Sequence, residues 1–184
     1  MISIADSVDK KVHTFILKVK DNPQIEDFIY NQQQEIQQGL QDRFGESFEG
    51  WTFSRYVFDD EAEMLTQVFR LIHTLKRDIC FVWNMDFDVP YMMKRMEVLK
   101  LNPANLFCHS DFPTTTLFYY QDVNNFDWDK KRNYFECSSY THWLDQPAIY
   151  AGLRRSQTAL RSVSLDAIAH KEKVGEGKIQ NDTK

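Results

Sequence analysis

The chain has 184 residues and a formal net charge of −5, and its 42% apolar and 27% charged residues are ordinary for a globular protein. No run approaches the roughly 18 apolar residues of a membrane span, and the N-terminus lacks a secretory pattern, so we expect no membrane partner and a cytoplasmic location. The acidic balance argues against a nucleic-acid-binding surface of the usual basic kind.

The N-terminal segment predicts a hairpin followed by a helix. Residues 2–5 and 12–18 read as strands, and residues 7–10 between them supply the turn. Residues 22–44 then form a polar pattern with a narrow apolar stripe, which predicts a surface helix. Gly45 is placed to end that helix.

A strand and a helix are predicted next. Residues 51–58 alternate in the manner of a strand. Asp60 and Glu63 form a capping-box-like start for a helix that we expect to reach about Lys76. Its predicted buried face consists of apolar residues at helical spacing, namely Met64, Leu65, Val68, Phe69, Ile72 and Leu75.

Residues 79–83 are a short continuous apolar run, which predicts a strand buried on both faces. Apolar residues from Val89 to Leu99 then recur at helical spacing. Pro90 suits the first turn of that helix, and Asp88 is placed as its N-cap. In open α/β sheets, ligands bind beyond the carboxyl ends of the strands, which is where Asp88 would lie.

The C-terminal half is harder to divide into elements. Residues 101–140 are irregular and aromatic-rich, and within them residues 115–121 and 133–140 are expected to pair as strands around a loop at residues 124–131. The tail at residues 171–184 is polar and is expected to be loose.

Three segments resemble one known family. Residues 84–91, Asn-x-x-Phe-Asp-Val-Pro-Tyr, resemble the second exonuclease motif of the family B DNA polymerases. Residues 164–169, followed by Gly and Lys within residues 175–178, are similar to a Ser-Leu-(Asp/Glu)-x-(Val/Ile)-Ala…Gly-Lys segment of the tailed-phage (T4-like) replicative members. Residues 140–145 and 148–150 resemble the strand and the helix that lie between these two segments in the family. The order and spacing agree, and the likeness covers roughly residues 55–180.

The resemblance implies an α/β fold, the ribonuclease-H-like exonuclease fold with a mixed sheet. It also implies that residues 1–184 are a single partial domain whose first strand is missing. The family's first and third exonuclease motifs are not found in the chain. We therefore expect a fragment of a 3′–5′ proofreading domain that is inactive alone.

The resemblance assigns roles to individual residues. Asp88 becomes the expected catalytic carboxylate and metal ligand, for Mg²⁺ or Mn²⁺ in two-metal hydrolysis. Asn84 and Phe87 become expected DNA-binding residues, although Phe87 is expected to pack beneath the site more than to stack on a base. We interpret Asp86 as a solvent-facing turn acid, with a weak outer metal ligand as the alternative, and Asp145 as the cap of the helix that follows it.

The expected partners are a single-stranded DNA 3′ end, primer–template DNA and the remaining polymerase segments. The hairpin loop is a candidate for separating primer from template, or an ordinary surface loop. Two alternatives stay open: a non-catalytic nucleic-acid-binding or split-polymerase assembly module, and an unrelated α/β protein sharing the motif by chance. Whether this chain is itself an enzyme is therefore left open at this point.

Overall fold

A computed structural model describes residues 1–18, 38–42, 45–125, 127–154 and 162–173. The chain divides into two compact units, Met1–Val68 and Phe69–Lys184. Most of the helix predicted at residues 22–44 lies outside the described residues, although residues 38–42 are helical. Among the helices that are described, none has the length and apolar character to cross a membrane.

The first unit is built on a three-stranded mixed sheet. Strands β1 (Ile2–Asp6) and β2 (Lys11–Leu17) pair antiparallel, which confirms the predicted hairpin. Strand β3 (Thr52–Phe58) pairs parallel to β2, so the order is β1-β2-β3. The mixed sheet with helices agrees with the predicted α/β class.

Helix α1 (Glu61–Leu75) starts where the capping pattern predicts. The Asp60 carboxylate accepts the Glu63 backbone N–H at 2.8 Å, which satisfies one of the free donors of the first turn. The predicted inner face is buried as expected, except that Leu75 is only half-buried.

In the second unit, β4 (Ile79–Val82) pairs parallel to β7 (His142–Asp145). The prediction that β4 is buried on both faces is wrong, because the side chains of Ile79 and Phe81 are 48% and 55% exposed. Alternate residues of a strand point to opposite faces, and only the face of Cys80 and Val82 is partly covered.

The remaining elements complete the second unit. Helix α2 (Met85–Val98) follows β4, and the short α3 (Pro103–Phe107), which the sequence did not predict, is capped by Asn102. Strands β5 (Leu117–Tyr120) and β6 (Tyr134–Cys137) pair antiparallel, as predicted. The chain continues through β7 into α4 (Gln146–Leu153) and α5 (Leu165–Glu172), whose N-cap is Ser164.

Aromatic side chains form the core of the second unit. Phe107 is almost fully buried, with ring centroids 4.6 Å from Phe69, 5.0 Å from Phe135 and 5.5 Å from Trp143. Trp143 precedes Asp145 by two residues on β7, so the two side chains share a face of the strand. The aromatic core therefore anchors the strand that carries Asp145.

Candidate functional site

The Asn-x-x-Phe-Asp segment lies in the first turn of α2. The helix starts at Met85, with Asn84 at the N-cap in a left-handed conformation, φ 70° and ψ 65°. Asp88 is therefore inside the helix, and the prediction that it caps the helix is wrong. Pro90 is likewise inside the helix and not in its first turn.

Burial explains why the helix starts early. Met85, Val89 and Met96 are almost completely buried, and their spacing places them on one face of α2. Because Met85 belongs to the helix, the buried apolar face of α2 begins soon after the end of β4. The free energy gained by burying Met85 outweighs the local preference for Asp88 as a cap close to Pro90.

Asp145 ends β7 and is buried. It occupies the N-cap position of α4, as predicted, but its carboxylate makes no capping hydrogen bond to that helix. One oxygen accepts the Met85 backbone N–H at 3.2 Å, and the other accepts the Asn133 side-chain amide at 2.9 Å. Asp145 thus binds α2 and the segment before β6, and the prediction that it caps α4 by its side chain is wrong.

Asp88 is brought close to Asp145 because β4 and β7 are parallel, with Val82 opposite Asp145. The chain beyond β4 and the end of β7 therefore meet at one edge of this sheet. Burial raises the pKa of the Asp88 carboxyl, and the negative charge of Asp145 raises it further. Within the described ranges, no hydrogen-bond donor or cation is paired with the Asp88 carboxylate.

These features fit one part of a divalent-cation site. A half-buried carboxylate with a like-charged neighbour and no protein donor is an open oxygen ligand, which Mg²⁺ and Mn²⁺ prefer. Asp145 is less open, since both of its oxygens already accept hydrogen bonds. No group of three or more His, Cys, Asp or Glu placed to hold a metal occurs in the described part of the chain. The described residues therefore supply one open ligand and not a complete set.

Asp86 is not the solvent-facing acid that the sequence predicts. Its carboxylate pairs with the Lys131 ammonium at 2.6 Å, and the exposed fractions of the two side chains are 11% and 16%. It also accepts the Tyr119 hydroxyl at 2.8 Å, and burial followed by this bond raises the pKa of Tyr119. The Lys131 ammonium lies 4.3 Å from the Trp128 ring centre, so the loop before β6 is held against α2.

Phe87 does not pack beneath the site, so that part of the prediction is wrong. Its side chain is 61% exposed, and it stacks on Tyr91, which is 58% exposed, with ring centroids 5.7 Å apart. Asn84 is exposed as well. Helix geometry explains the outcome, because Phe87 and Tyr91 are four residues apart on the face opposite the buried one.

Sequence reasoning missed the side chains that organise the loop between β5 and β6. Asp122 is buried and accepts the Asn125 amide at 2.6 Å and the Arg132 N–H at 3.1 Å. These hydrogen bonds, that of Asn125 most strongly, lower the pKa of Asp122. The Asp122 N–H in turn donates to the Asn133 side-chain oxygen at 3.1 Å. Asp and Asn are turn formers and could have indicated a structured turn, but not the contact of Asn133 with Asp145.

Comparison with known families identifies the domain family of the chain. The DNA polymerase family B exonuclease domain matches residues 1–168. The chain therefore belongs to the exonuclease domain family of the family B DNA polymerases. A comparison with curated proteins finds no match.

Proposed function

We propose that the chain is part of the 3′–5′ proofreading exonuclease of a tailed-phage-type family B DNA polymerase, acting in the cytoplasm of the host cell. Asp88 is the proposed metal ligand and catalytic carboxylate. The observation that carries this role is its half-buried carboxylate, which lies near Asp145 and lacks a protein partner among the described residues. The phage type is supported by the sequence likeness of residues 164–178.

The proposed reaction is hydrolysis of the 3′-terminal phosphodiester. A bound pair of Mg²⁺ or Mn²⁺ ions supplies Lewis-acid stabilisation and an activated water. Asp88 provides a ligand oxygen, and its burial limits competition by bulk water. The exposed Phe87 and Tyr91 rings provide a surface for nucleobase stacking. The exposed Asn84, whose backbone carbonyl accepts the Phe87 N–H at 3.0 Å, provides a polar contact for the 3′ strand.

The chain alone is proposed to be inactive. Two-metal hydrolysis requires several carboxylates to hold both ions, whereas the described residues near Asp88 form no group of three or more metal-binding side chains. The remaining acids are proposed to come from other polymerase segments, which are then partners of this chain. The substrate in the assembled enzyme is a single-stranded DNA 3′ end or a frayed primer–template.

Mn²⁺ binding tests the assignment of Asp88. Substoichiometric Mn²⁺ added to the ¹⁵N-labelled chain should broaden the amide signals of residues 86–89 first, because the ion relaxes nearby nuclei. Asp88→Asn should abolish this selective broadening. Glu97→Gln removes an exposed carboxylate from the same helix, where it pairs with Lys94, and should leave the broadening unchanged. Equal broadening in wild type and Asp88→Asn would contradict the assignment.

A 3′-exonuclease assay of the same proteins tests the claim that the chain is incomplete. We expect no Mn²⁺-dependent shortening of a labelled oligonucleotide by wild type or by Asp88→Asn. Activity that disappears with Asp88 would support Asp88 as a catalytic residue and overturn the proposal of an inactive fragment.

Stacking on the exposed ring pair is a separate prediction. Phe87→Ala should weaken binding of a labelled single-stranded oligonucleotide by about five- to a hundredfold, the usual effect of losing one base-stacking ring. The measurement is fluorescence anisotropy without divalent ions. Val98→Ala, which shortens another exposed apolar side chain on α2, should leave the affinity unchanged. Equal affinities for wild type and Phe87→Ala would remove Phe87 from the DNA-binding surface.

A further inference from the structure

The first turn of α2, Met85 to Asp88, is attached to the second unit by side chains from distant elements. The Met85 N–H donates to Asp145 at the end of β7, 60 residues away in sequence. Asp86 binds Lys131 and Tyr119, which belong to the loop before β6 and to β5. Neither attachment is local to the helix, so the position of this turn is determined by tertiary contacts.

Asp145 replaces the local cap that α2 lacks. The first N–H groups of a helix have no partner within the helix, and a side chain at the N-cap usually satisfies one of them. Asn84 occupies the N-cap but makes no such hydrogen bond. The buried carboxylate of Asp145 accepts the Met85 N–H instead, at 3.2 Å.

Asn133 determines how Asp145 is oriented. Its side-chain amide donates to the second Asp145 oxygen at 2.9 Å, and its own oxygen accepts the Asp122 N–H at 3.1 Å. Since both ends of the Asn133 side chain are engaged, its two groups cannot exchange places without losing a bond. The turn around Asp122 therefore orients Asp145, and Asp145 orients α2.

We propose that Asp145 and Asn133 are positioning residues of the exonuclease site, acting through the Asn133–Asp145–Met85 hydrogen-bond chain. Asp88 lies three residues beyond Met85, one turn along α2, so fixing the Met85 N–H fixes the direction in which Asp88 presents its carboxylate. Catalytic groups must be held within fractions of an ångström, and supporting hydrogen bonds provide that precision. The catalytic part of this inference rests on the proposed role of Asp88, whereas the hydrogen-bond chain does not.

An exchange of the two residue types tests the chain. In Asp145→Asn, the new side-chain NH₂ group faces another donor, which is either the Asn133 NH₂ group or the Met85 N–H. In Asn133→Asp, the carboxylates at positions 133 and 145 face each other. The double variant Asn133→Asp/Asp145→Asn can form every bond again, with the donor and acceptor reversed between positions 133 and 145. Asp127→Asn alters an exposed acid of the same loop and serves as the control.

The first readout is hydrogen exchange of the Met85 amide in this chain, which needs no activity. Each single variant should reduce its protection relative to the Met96 amide by about three- to tenfold, the usual worth of one hydrogen bond. The double variant should restore it. Unchanged protection in both single variants would overturn the proposal.

The second readout is single-turnover hydrolysis in the complete polymerase that carries this domain. Each single variant should slow the chemical step by about 10–100-fold with DNA affinity unchanged, and the double variant should recover most of the rate. A double variant as slow as the slower single variant would overturn the positioning role. If Asp88→Asn left hydrolysis intact, the proposed function would fail and with it the catalytic part of this inference, while Met85 exchange would still report on the hydrogen-bond chain.

Discussion

Replacing Phe107 by Ala is expected to lower the free energy of unfolding by about 3–5 kcal/mol, because it removes a ring from a packed core and leaves a cavity. Phe107 contacts Phe69, Phe135 and Trp143, so one truncation weakens aromatic contacts to α1, β6 and β7 together. Urea denaturation followed by circular dichroism measures the change.

Phe118→Ala is the matched control for this prediction. Phe118 is an aromatic residue on β5, in the same unit as Phe107, but its side chain is exposed. We expect it to change the free energy of unfolding by less than about 1 kcal/mol. Similar losses in the two variants would mean that the second unit does not have its core at Phe107.

Local chemistry was sufficient to predict several elements. The turn residues between β1 and β2 predicted the hairpin, and Asp60 predicted the start of α1 through a hydrogen bond to a residue three positions away. The two strands predicted on either side of a polar loop, β5 and β6, also pair. The turn between β1 and β2 and the start of α1 are determined by residues close in sequence.

The start of α2 could not be predicted in this way. Local rules favour Asp88 as a cap because Pro90 follows it, yet the N–H that needs a partner belongs to Met85. That partner is Asp145, and no pattern within the first turn of α2 indicates it. The resemblance predicts a site role for Asp88, whereas the position of Asp88 in the helix depends on a contact across 60 residues.

Asp86 illustrates the same limit. Taken by itself, an acid between two apolar residues at a strand–helix junction is expected to face solvent. Lys131, 45 residues later, buries and pairs with it. Charge patterns predict helix pairs three or four residues apart but not pairs formed by folding a loop onto a helix. The parts of the site that escaped prediction are therefore those held by contacts between residues far apart in sequence, from β7 for the start of α2 and from the loop before β6 for Asp86.

Asp88→Asn is expected to abolish hydrolysis and to stabilise the fold. In the proposed complete polymerase, loss of the proposed metal ligand should slow hydrolysis by more than the roughly 10–100-fold caused by loss of an outer-shell partner. In this chain the same change removes a charge that is partly desolvated and repelled by Asp145. Solvent screening limits the expected gain in the free energy of unfolding at pH 7 to less than about 1 kcal/mol.

The pH dependence of that gain follows from the direction of the pKa shift. Burial, with Asp145, raises the pKa of the folded carboxyl above its unfolded value of about 3.9, so the folded state binds the proton more tightly. The stabilising contribution of the Asp88 carboxyl is present below its unfolded pKa and is lost as pH rises through its folded pKa. The free energy of unfolding of Asp88→Asn, measured by urea denaturation, should therefore equal that of wild type near pH 3.5 and exceed it at pH 7.

Glu97→Gln provides the comparison for this measurement, because it neutralises an exposed acid of α2 that pairs with Lys94. We expect it to give no gain at pH 7, since a surface ion pair of this kind contributes little and its loss is not favourable. If Asp88→Asn were no more stable than wild type at pH 7, the charge of the Asp88 carboxylate would not destabilise the folded state. A gain confined to Asp88→Asn would instead indicate that the fold gives up stability at the position where a cation is proposed to bind.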